Sequence, residues 1–103
     1  MKKTILITGA SSGIGEGCAK GLAEAGASVV VNYPVPAAKQ MADDVVNAIT
    51  SAGNTAISYQ CDVSKEDEVI KMFADTIAKF GTVDILINNA GLQRDAHFVD
   101  MTL

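Results

Sequence analysis

The sequence predicts an α/β protein built on a parallel sheet, and three observations lead to that fold class. Short runs rich in Val, Ile and Leu recur along the 103 residues, and stretches with helical periodicity separate them. The linkers are short, and a glycine-rich segment joins the first strand to the first helix. Because apolar strands joined by helical crossovers form parallel sheets with right-handed connections, the order β-α-β-α-β-α-β predicts a doubly wound sheet.

The first βαβ unit occupies the first third of the chain. A β-rich run, Lys3–Thr8, precedes a helical segment, Gly13–Ala25, and Gly26 is placed to end that helix. The second strand, Ser28–Tyr33, is apolar at its centre without alternation, which is typical of a strand buried on both faces. The first helix is expected to bury Ile14, Cys18, Ala19, Leu22 and Ala25.

A second helix and a third strand follow two prolines, Pro34 and Pro36, which interrupt the backbone. Helical periodicity extends over Ala37–Ala52, Gly53 ends it, and Thr55–Cys61 is predicted to be the strand. The apolar face of this helix is expected to comprise Met41, Ala42, Val45, Ile49 and Ala52.

The third helix and the fourth strand complete the alternation. Ser64-Lys65-Glu66-Asp67 resembles a capping box, in which the Ser side chain accepts a hydrogen bond from the backbone N–H three residues later. Gly81 ends the helix, and Val83–Asn88 is the fourth predicted strand. The helix is expected to pack through Val69, Phe73, Ile77 and Phe80.

The composition excludes several classes of function. Hydrophobic residues make up 49% of the chain, which is too apolar for a disordered protein. Eight basic and 12 acidic side chains leave a formal net charge of −4, so nucleic acid and anionic membranes are poor partners. Cys18 and Cys61 lie far apart without metal-ligand spacing, so neither a metal site nor a disulfide scaffold is predicted. The N-terminal apolar run stops at Gly9, too short for a signal peptide, and no run is long enough to span a membrane; we expect a cytoplasmic protein.

A glycine-rich turn, Thr8-Gly9-Ala10-Ser11-Ser12-Gly13-Ile14-Gly15, follows the first strand. Glycines at the carboxyl end of a parallel strand let the backbone turn sharply and approach a phosphate, and the next helix offers unpaired N–H groups to the anion. Gly9 suits the tight turn, Gly13 the close approach and Gly15 the packing of helix on strand. The spacing excludes a P-loop, which needs a Lys after its second Gly, and it also differs from GxGxxG. In this strand–helix context the turn predicts a Rossmann-type dinucleotide-binding sheet of about four strands in the order 3-2-1-4.

The end of the second strand bears on the choice of cofactor. An Asp or Glu there holds the ribose hydroxyls of NAD, but this chain has Asn32-Tyr33-Pro34. Without an acid at this strand end, no negative charge repels the 2′-phosphate of NADP. No Arg lies there to bind that phosphate, however, and Lys39 lies farther along the chain. We therefore expect NADP, or dual use of NADP and NAD, with Asn32 and Tyr33 beside the cofactor.

Three segments in register resemble the short-chain dehydrogenase/reductase family: Thr8-Gly9-x3-Gly13-x-Gly15, Asp62-Val63 after the third strand, and Asn88-Asn89-Ala90-Gly91 after the fourth. The resemblance covers essentially the whole chain, and within the family it is greatest to the bacterial glucose 1-dehydrogenase branch, although 3-oxoacyl reductases share much of it. It implies an NAD(P)-dependent oxidoreductase that moves a hydride between the nicotinamide and a sugar or secondary alcohol carbon. It also implies that the whole enzyme is a homo-oligomer, usually a tetramer.

The resemblance further implies roles for individual residues. Asp62 would accept a hydrogen bond from the adenine amino group, with the Val63 backbone beside it; a solvated loop acid is the alternative. Asn88, Ala90 and Gly91 would line the floor under the ribose and nicotinamide, and Asn88 would also brace the central strands. The pyrophosphate and the adenosine side would be wrapped by Gly9, Ser11, Ser12, Gly13, Ile14 and Gly15.

No catalytic residue can be assigned within these 103 residues. The resemblance implies catalysis by a Tyr with a Lys four residues later, a Ser, and an Asn on the helix after the fourth strand. Tyr33 is followed at that distance by Ala37, and Tyr59 by Val63, so no such pair is present. His97 is expected to be a surface residue in a polar loop. The isolated chain is therefore expected to be inactive.

The end of the chain is expected to be a truncation. Gln93–Asp100 is polar and is expected to be irregular, and Thr102 resembles a helix N-cap. We expect residues 1–103 to be an NAD(P)-binding domain cut before the catalytic half, which would leave Ile85-Leu86-Ile87 on an open sheet edge and cause aggregation or edge-to-edge dimerisation. Two alternatives are a non-catalytic nucleotide-binding or interaction module and an inactive truncated product.

Overall fold

The structure, a computed structural model, describes residues 2–11, 13–89 and 97–100. From β1 to β4, strands and helices alternate as the sequence predicts, with boundaries that differ by a few residues at most. The elements are β1 (Thr4–Ile7), α1 (Gly13–Glu24), β2 (Ser28–Tyr33), a short 3-10 helix (Pro36–Ala38), α2 (Lys39–Ser51), β3 (Thr55–Gln60), α3 (Glu66–Phe80), β4 (Ile85–Asn88) and β5 (His97–Asp100).

The first four strands form a parallel sheet in the predicted order 3-2-1-4, which confirms the fold class. β1 lies between β2 and β4, and Ile7 pairs with Val31 on one side and with Ile87 on the other. Every residue of β1 and β2 is buried, as the unalternating apolar run predicts for strands covered on both faces.

The outer edge of β4 differs from the sequence-based expectation, because a further strand pairs with it. His97–Asp100 is a strand, β5, that pairs antiparallel with β4, so that Leu86 lies opposite Val99. The polar composition of Gln93–Asp100 led to the expectation of an irregular segment and an open β4 edge. For residues 97–100 and for the β4 edge that expectation was wrong, because strand pairing satisfies backbone N–H and C=O groups whatever the side chains are. Residues 93–96 lie outside the described residues. The β4 edge is thus not open for pairing with another chain, and β5 is the outer strand on this side. Aggregation or edge-to-edge dimerisation of the chain stays a prediction.

Helices cover both faces of the sheet, and the strand residues divide between two cores by their alternation. On β1 and β2, odd-numbered residues such as Ile5 and Val29 lie in the core with α1 and α2, whereas even-numbered ones lie in the core with α3. On β3 the parity is reversed, so that Ala56 lies in the first core and Ile57 packs against the second. The helix residues buried in the first core are Ala19, Ala23, Ala42, Val45 and Ile49, and Met72 is buried in the second.

Several predicted helix contacts are wrong in detail. Ile14 and Met41 were expected on buried faces, yet they are 70% and 48% exposed in the first turns of α1 and α2. Ala25 and Ala52 were expected there too, but they are exposed and follow the last residues of these helices. On α3 the deepest residues are Met72 and Thr76, while the predicted face is only partly buried. The predicted capping box is also absent, since Lys65 is the N-cap and makes no side-chain capping bond. Among the helices in the described ranges, none combines the length and apolar character needed to cross a membrane.

Candidate functional site

The carboxyl ends of the parallel strands bring the predicted site residues to one edge of the sheet. Thr8 directly follows β1, Asn32 lies near the end of β2, and Asn88 ends β4. The register places these three residues at one level, since Ile7 pairs with both Val31 and Ile87. The chain runs from β1 outward to β2 and β3, and then returns through α3 to β4 on the other side of β1, so the strand order reverses between β1 and β4. Open α/β sheets bind ligands in the crevice outside such a switch point.

Two glycines give the turn after β1 its shape. Gly9 and Gly13 have φ angles of +62° and +61°, in the left-handed region that residues with a Cβ rarely adopt. A Cβ added to Gly13 would meet no atom within 4 Å, so the space over this residue is open. The backbone of Gly13, at the first turn of α1, can therefore be approached closely by a ligand.

Gly15 serves a different purpose, which is the close packing predicted for it. A Cβ at this position would lie 2.4 Å from Asn89 Nδ2, 2.8 Å from the Gly9 carbonyl oxygen and 3.0 Å from Ala10 Cα. The absence of a side chain at Gly15 thus lets α1 lie directly against the turn and against the segment that follows β4.

The Gly9 peptide is held from both neighbouring strands. Asn32 Oδ1 on β2 accepts a hydrogen bond from the Gly9 N–H at 3.2 Å, and Asn89 Nδ2, after β4, donates to the Gly9 carbonyl at 2.8 Å. Asn89 was not among the residues predicted to contact the cofactor. Only its position beside Asn88 in the Asn-Asn-Ala-Gly segment could have pointed to this bond.

Asn88 ties β4 to β1. The Thr8 hydroxyl donates to Asn88 Oδ1 at 3.1 Å, and the Thr8 N–H donates to the Ile87 carbonyl at 3.0 Å. Asn88 also borders a groove of about 220 Å³ on the α3 side of the sheet, lined by Thr8, Val63, Val69, Met72, Phe73, Leu86 and Asn88.

Asp62 follows β3 and is held as a carboxylate. Its Oδ1 accepts the Ser64 hydroxyl at 2.6 Å and the Ser64 N–H at 3.0 Å, and the hydroxyl bond is the main reason that the pKa of Asp62 lies below its ordinary value. Ser64, predicted to cap α3, is therefore engaged with Asp62 instead. The Asp62 N–H donates to Glu68 Oε1 at 3.1 Å, which fastens the loop to the first turn of α3.

The end of β2 carries no acidic residue. On α2, Lys39 and Asp43 form an ion pair and neutralise each other's charge. Lys39 Nζ lies 2.7 Å from Asp43 Oδ2, and this hydrogen bond raises the pKa of Lys39. Ser58 donates to the other carboxylate oxygen of Asp43 at 3.0 Å. Tyr33 is 5% exposed and packs in the core on the α1 and α2 side.

The structure thus brings together most of the residues that the sequence singled out. Ser11 is buried within the turn and Ile14 is exposed in the first turn of α1, while Val63 is exposed and borders the groove that Thr8 and Asn88 line. The predicted residues Ser12, Ala90 and Gly91 lie outside the described residues. In the described ranges, no three His, Cys, Asp or Glu side chains come together as a metal site.

Comparison with known proteins connects this edge to a family. The family model described as short chain dehydrogenase matches residues 3–103. The 3-oxoacyl-acyl-carrier-protein reductase FabG of Staphylococcus epidermidis is 44% identical over 95 residues, covering 92% of this chain and 38% of the relative. An oxidoreductase of Methylorubrum extorquens is 44% identical over 100 residues, covering 97% of this chain and 40% of the relative.

A solved structure gives the same result for the fold. A dehydrogenase from Burkholderia cenocepacia with bound NADP superposes with a TM-score of 0.79 at 34% identity, over 84% of this chain and 33% of that chain. The chain spans only 38% of the length of the Staphylococcus relative and 40% of the length of the Methylorubrum relative. With a family match over nearly its whole length, the chain belongs to the short chain dehydrogenase family.

Proposed function

We propose that residues 1–103 bind NADP, or NADP and NAD alike, as the N-terminal part of a short-chain oxidoreductase. When bound, this cofactor supplies the hydride chemistry. The observation that carries the proposal is the turn after β1, where Gly13 leaves open space and Gly9 is held in a left-handed conformation. Such a turn, at the switch point of a parallel sheet, suits a pyrophosphate.

Each end of the cofactor has residues suited to it. The turn, comprising Gly9, Ser11, Ser12, Gly13, Ile14 and Gly15, would surround the pyrophosphate. Asp62, kept charged by Ser64, has the acceptor that an adenine amino group needs, and Val63 lies beside it. Asn88, Ala90 and Gly91 would lie under the ribose and nicotinamide. The backbone of Tyr33 would lie beside the adenosine ribose, since its side chain is buried in the core.

The preference for NADP rests on the end of β2. No carboxylate follows Tyr33 there to repel a 2′-phosphate, and the nearby Asp43 is paired with Lys39. We expect NADPH to bind at least as tightly as NADH, and a clear preference for NADH would contradict this part of the proposal.

The reaction of the whole enzyme is proposed at the level of its chemistry. A hydride would pass between the nicotinamide and a carbon bearing a hydroxyl or carbonyl group, as in a sugar or secondary alcohol. The resemblance to glucose 1-dehydrogenases favours a sugar, whereas the FabG relatives are named for reducing 3-oxoacyl groups. Because these residues contain no Tyr-x3-Lys pair, the acid–base step would depend on residues outside them. We also propose that the whole enzyme is a cytoplasmic homo-oligomer. The alternatives to the oxidoreductase function are a non-catalytic nucleotide-binding or interaction module and an inactive truncated product.

Two glycine variants test the binding site against a matched control. Gly13→Ala and Gly53→Ala both place a Cβ where φ is positive, +61° and +86°, and where no atom lies within 4 Å. Each should lose about 1–2 kcal/mol of stability through backbone strain. Only Gly13→Ala should lose affinity for NADPH, by about tenfold or more.

The measurement is a calorimetric titration of NADPH and NADH into the wild-type chain and both variants. Saturable binding by the wild type and by Gly53→Ala, with a selective loss in Gly13→Ala, supports the proposal. No saturable binding to the wild type at about 1 mM ligand, or equal losses in both variants, would contradict it.

A further inference from the structure

The side chain of Asn32 is buried and is fully occupied by other parts of the chain. The residue is 1% exposed. Its Nδ2 donates to the carbonyl oxygens of Cys61 at 3.1 Å and Tyr59 at 3.3 Å, and its Oδ1 accepts from the Gly9 N–H at 3.2 Å. An amide group has two donor hydrogens and an acceptor oxygen, so both sides of this one are satisfied by the protein.

These bonds join two loops that are distant in the sequence. The backbone carbonyl of Asn32 also accepts the Ala10 N–H at 3.0 Å, so one residue holds two consecutive amides of the glycine turn. On its other side, Asn32 holds the carbonyl of Cys61, the residue directly before Asp62. A single side chain on β2 therefore sets the glycine turn and the start of the Asp62 loop relative to each other.

We infer that Asn32 is a positioning residue for the dinucleotide rather than a contact to it. This inference rests on the proposed function, in which the glycine turn holds the pyrophosphate and Asp62 holds the adenine. A ligand that spans both groups requires them at a set separation, and binding weakens when a receptor must reorganise to reach its ligand. The amide of Asn32 supplies that separation before the ligand arrives.

The position is sensitive to the side-chain chemistry. Leu has a similar size but can neither accept from Gly9 nor donate to Cys61 and Tyr59, so both loops lose their shared anchor. Thr76 on α3 offers a matched control, because it is 0% exposed and its hydroxyl donates to the Met72 carbonyl at 2.7 Å, within α3 alone. Thr76→Val removes a buried hydrogen bond without touching either loop.

The test compares Asn32→Leu and Thr76→Val with the wild-type chain, using ADP-ribose and adenosine as probes. ADP-ribose reaches both the turn and Asp62, whereas adenosine lacks the pyrophosphate. A positioning role predicts that Asn32→Leu weakens ADP-ribose by about tenfold or more while adenosine changes by less than about twofold. Thr76→Val should leave both affinities within about twofold of the wild type.

Other outcomes overturn the inference in distinguishable ways. If the wild type binds ADP-ribose and Asn32→Leu binds it equally well, the positioning role is wrong and the proposed function stands. Equal losses for both probes would mean a general loss of structure, which also overturns it. If the wild type binds neither probe, the proposed function fails first and the positioning role fails with it.

A measurement on the ligand-free wild type keeps the inference testable should Asn32→Leu not fold. Amide hydrogen exchange followed by NMR reports whether the Gly9 N–H is held. We expect Gly9 to exchange about tenfold or more slowly than an unprotected amide, although it lies in a turn. Exchange of Gly9 at the unprotected rate would overturn the inference without any variant.

Discussion

Replacing Gly15 by Ala tests whether helix α1 is packed against the glycine turn as closely as the structure indicates. In an exposed helix, Gly→Ala stabilises by about 1 kcal/mol, because Ala loses less backbone entropy on folding. At Gly15 the new methyl would lie 2.4 Å from Asn89 Nδ2 and 2.8 Å from the Gly9 carbonyl oxygen. Overpacking of this kind costs about 1–3 kcal/mol, so the steric penalty should outweigh the gain in helix propensity.

Two other glycines of α1 provide internal controls for this prediction. Gly17 and Gly21 are exposed on the same helix, and a Cβ at either would meet no atom within 4 Å. Gly17→Ala and Gly21→Ala should each gain up to about 1 kcal/mol, while Gly15→Ala should lose up to about 2 kcal/mol. For a domain of this size, 1 kcal/mol corresponds to about 4–8 °C in Tm.

The assay is urea unfolding followed by far-UV circular dichroism, with thermal unfolding as a check. A Gly15→Ala variant that gains stability like the two controls would refute the close packing at the turn. Asn89→Ala removes one of the three clashing atoms, so Gly15→Ala should be less damaging in that background. The Gly9 carbonyl is backbone and would remain in the way.

Two further predictions concern titrating groups on and beside β3. Tyr59 donates to Asp75, and burial together with this bond raises its pKa from about 10 to about 12. Because the folded pKa is the higher one, the contribution of Tyr59 to stability is present below pH 10 and is lost as the pH rises towards 12. Tyr59→Phe should therefore flatten the alkaline fall in the free energy of unfolding between these values, and an unchanged fall would contradict the assignment. Ser64→Ala should raise the pKa of Asp62 towards its ordinary value, because the substitution removes the hydroxyl hydrogen bond that lowers this pKa. NMR titration of the Asp62 carboxyl carbon measures the pKa. An unchanged pKa would show that the bond is not made in solution.

The sheet and the turn could be predicted from the sequence because local pattern determines them. An unbroken apolar run such as Val29-Val30-Val31 is buried on both faces in any parallel sheet, and Gly9 and Gly13 fall where the backbone must adopt a positive φ. Each of these depends on a few adjacent residues and on the strand–helix context, and the Rossmann-type fold that they indicate has the strand order 3-2-1-4.

The features that the sequence did not predict depend on partners far along the chain. The bond from Asn89 to the Gly9 carbonyl, and the two carbonyls held by Asn32, join segments that only the folded sheet brings together. Ser64 has the capping-box spacing, yet α3 begins at Glu66 with Lys65 as its N-cap, so Ser64 lies one residue before the capping position, and its hydroxyl donates to Asp62. The β5 pairing likewise follows from backbone groups that no side-chain pattern reveals.

The two hydrophobic cores differ in size, and this difference bears on which part of the fold unfolds first. Among the described residues, the core on the α3 face is the smaller of the two, and α3 covers that face alone, whereas α1 and α2 share the other. Regions with fewer buried apolar contacts open locally at a lower free energy than the rest of a domain. Partial unfolding should therefore begin with α3, and the Asp62 loop, bonded to Glu68 on its first turn, would leave with it. A ligand bound at Asp62 would oppose this local unfolding. Ligand binding should therefore slow amide hydrogen exchange along the whole of α3.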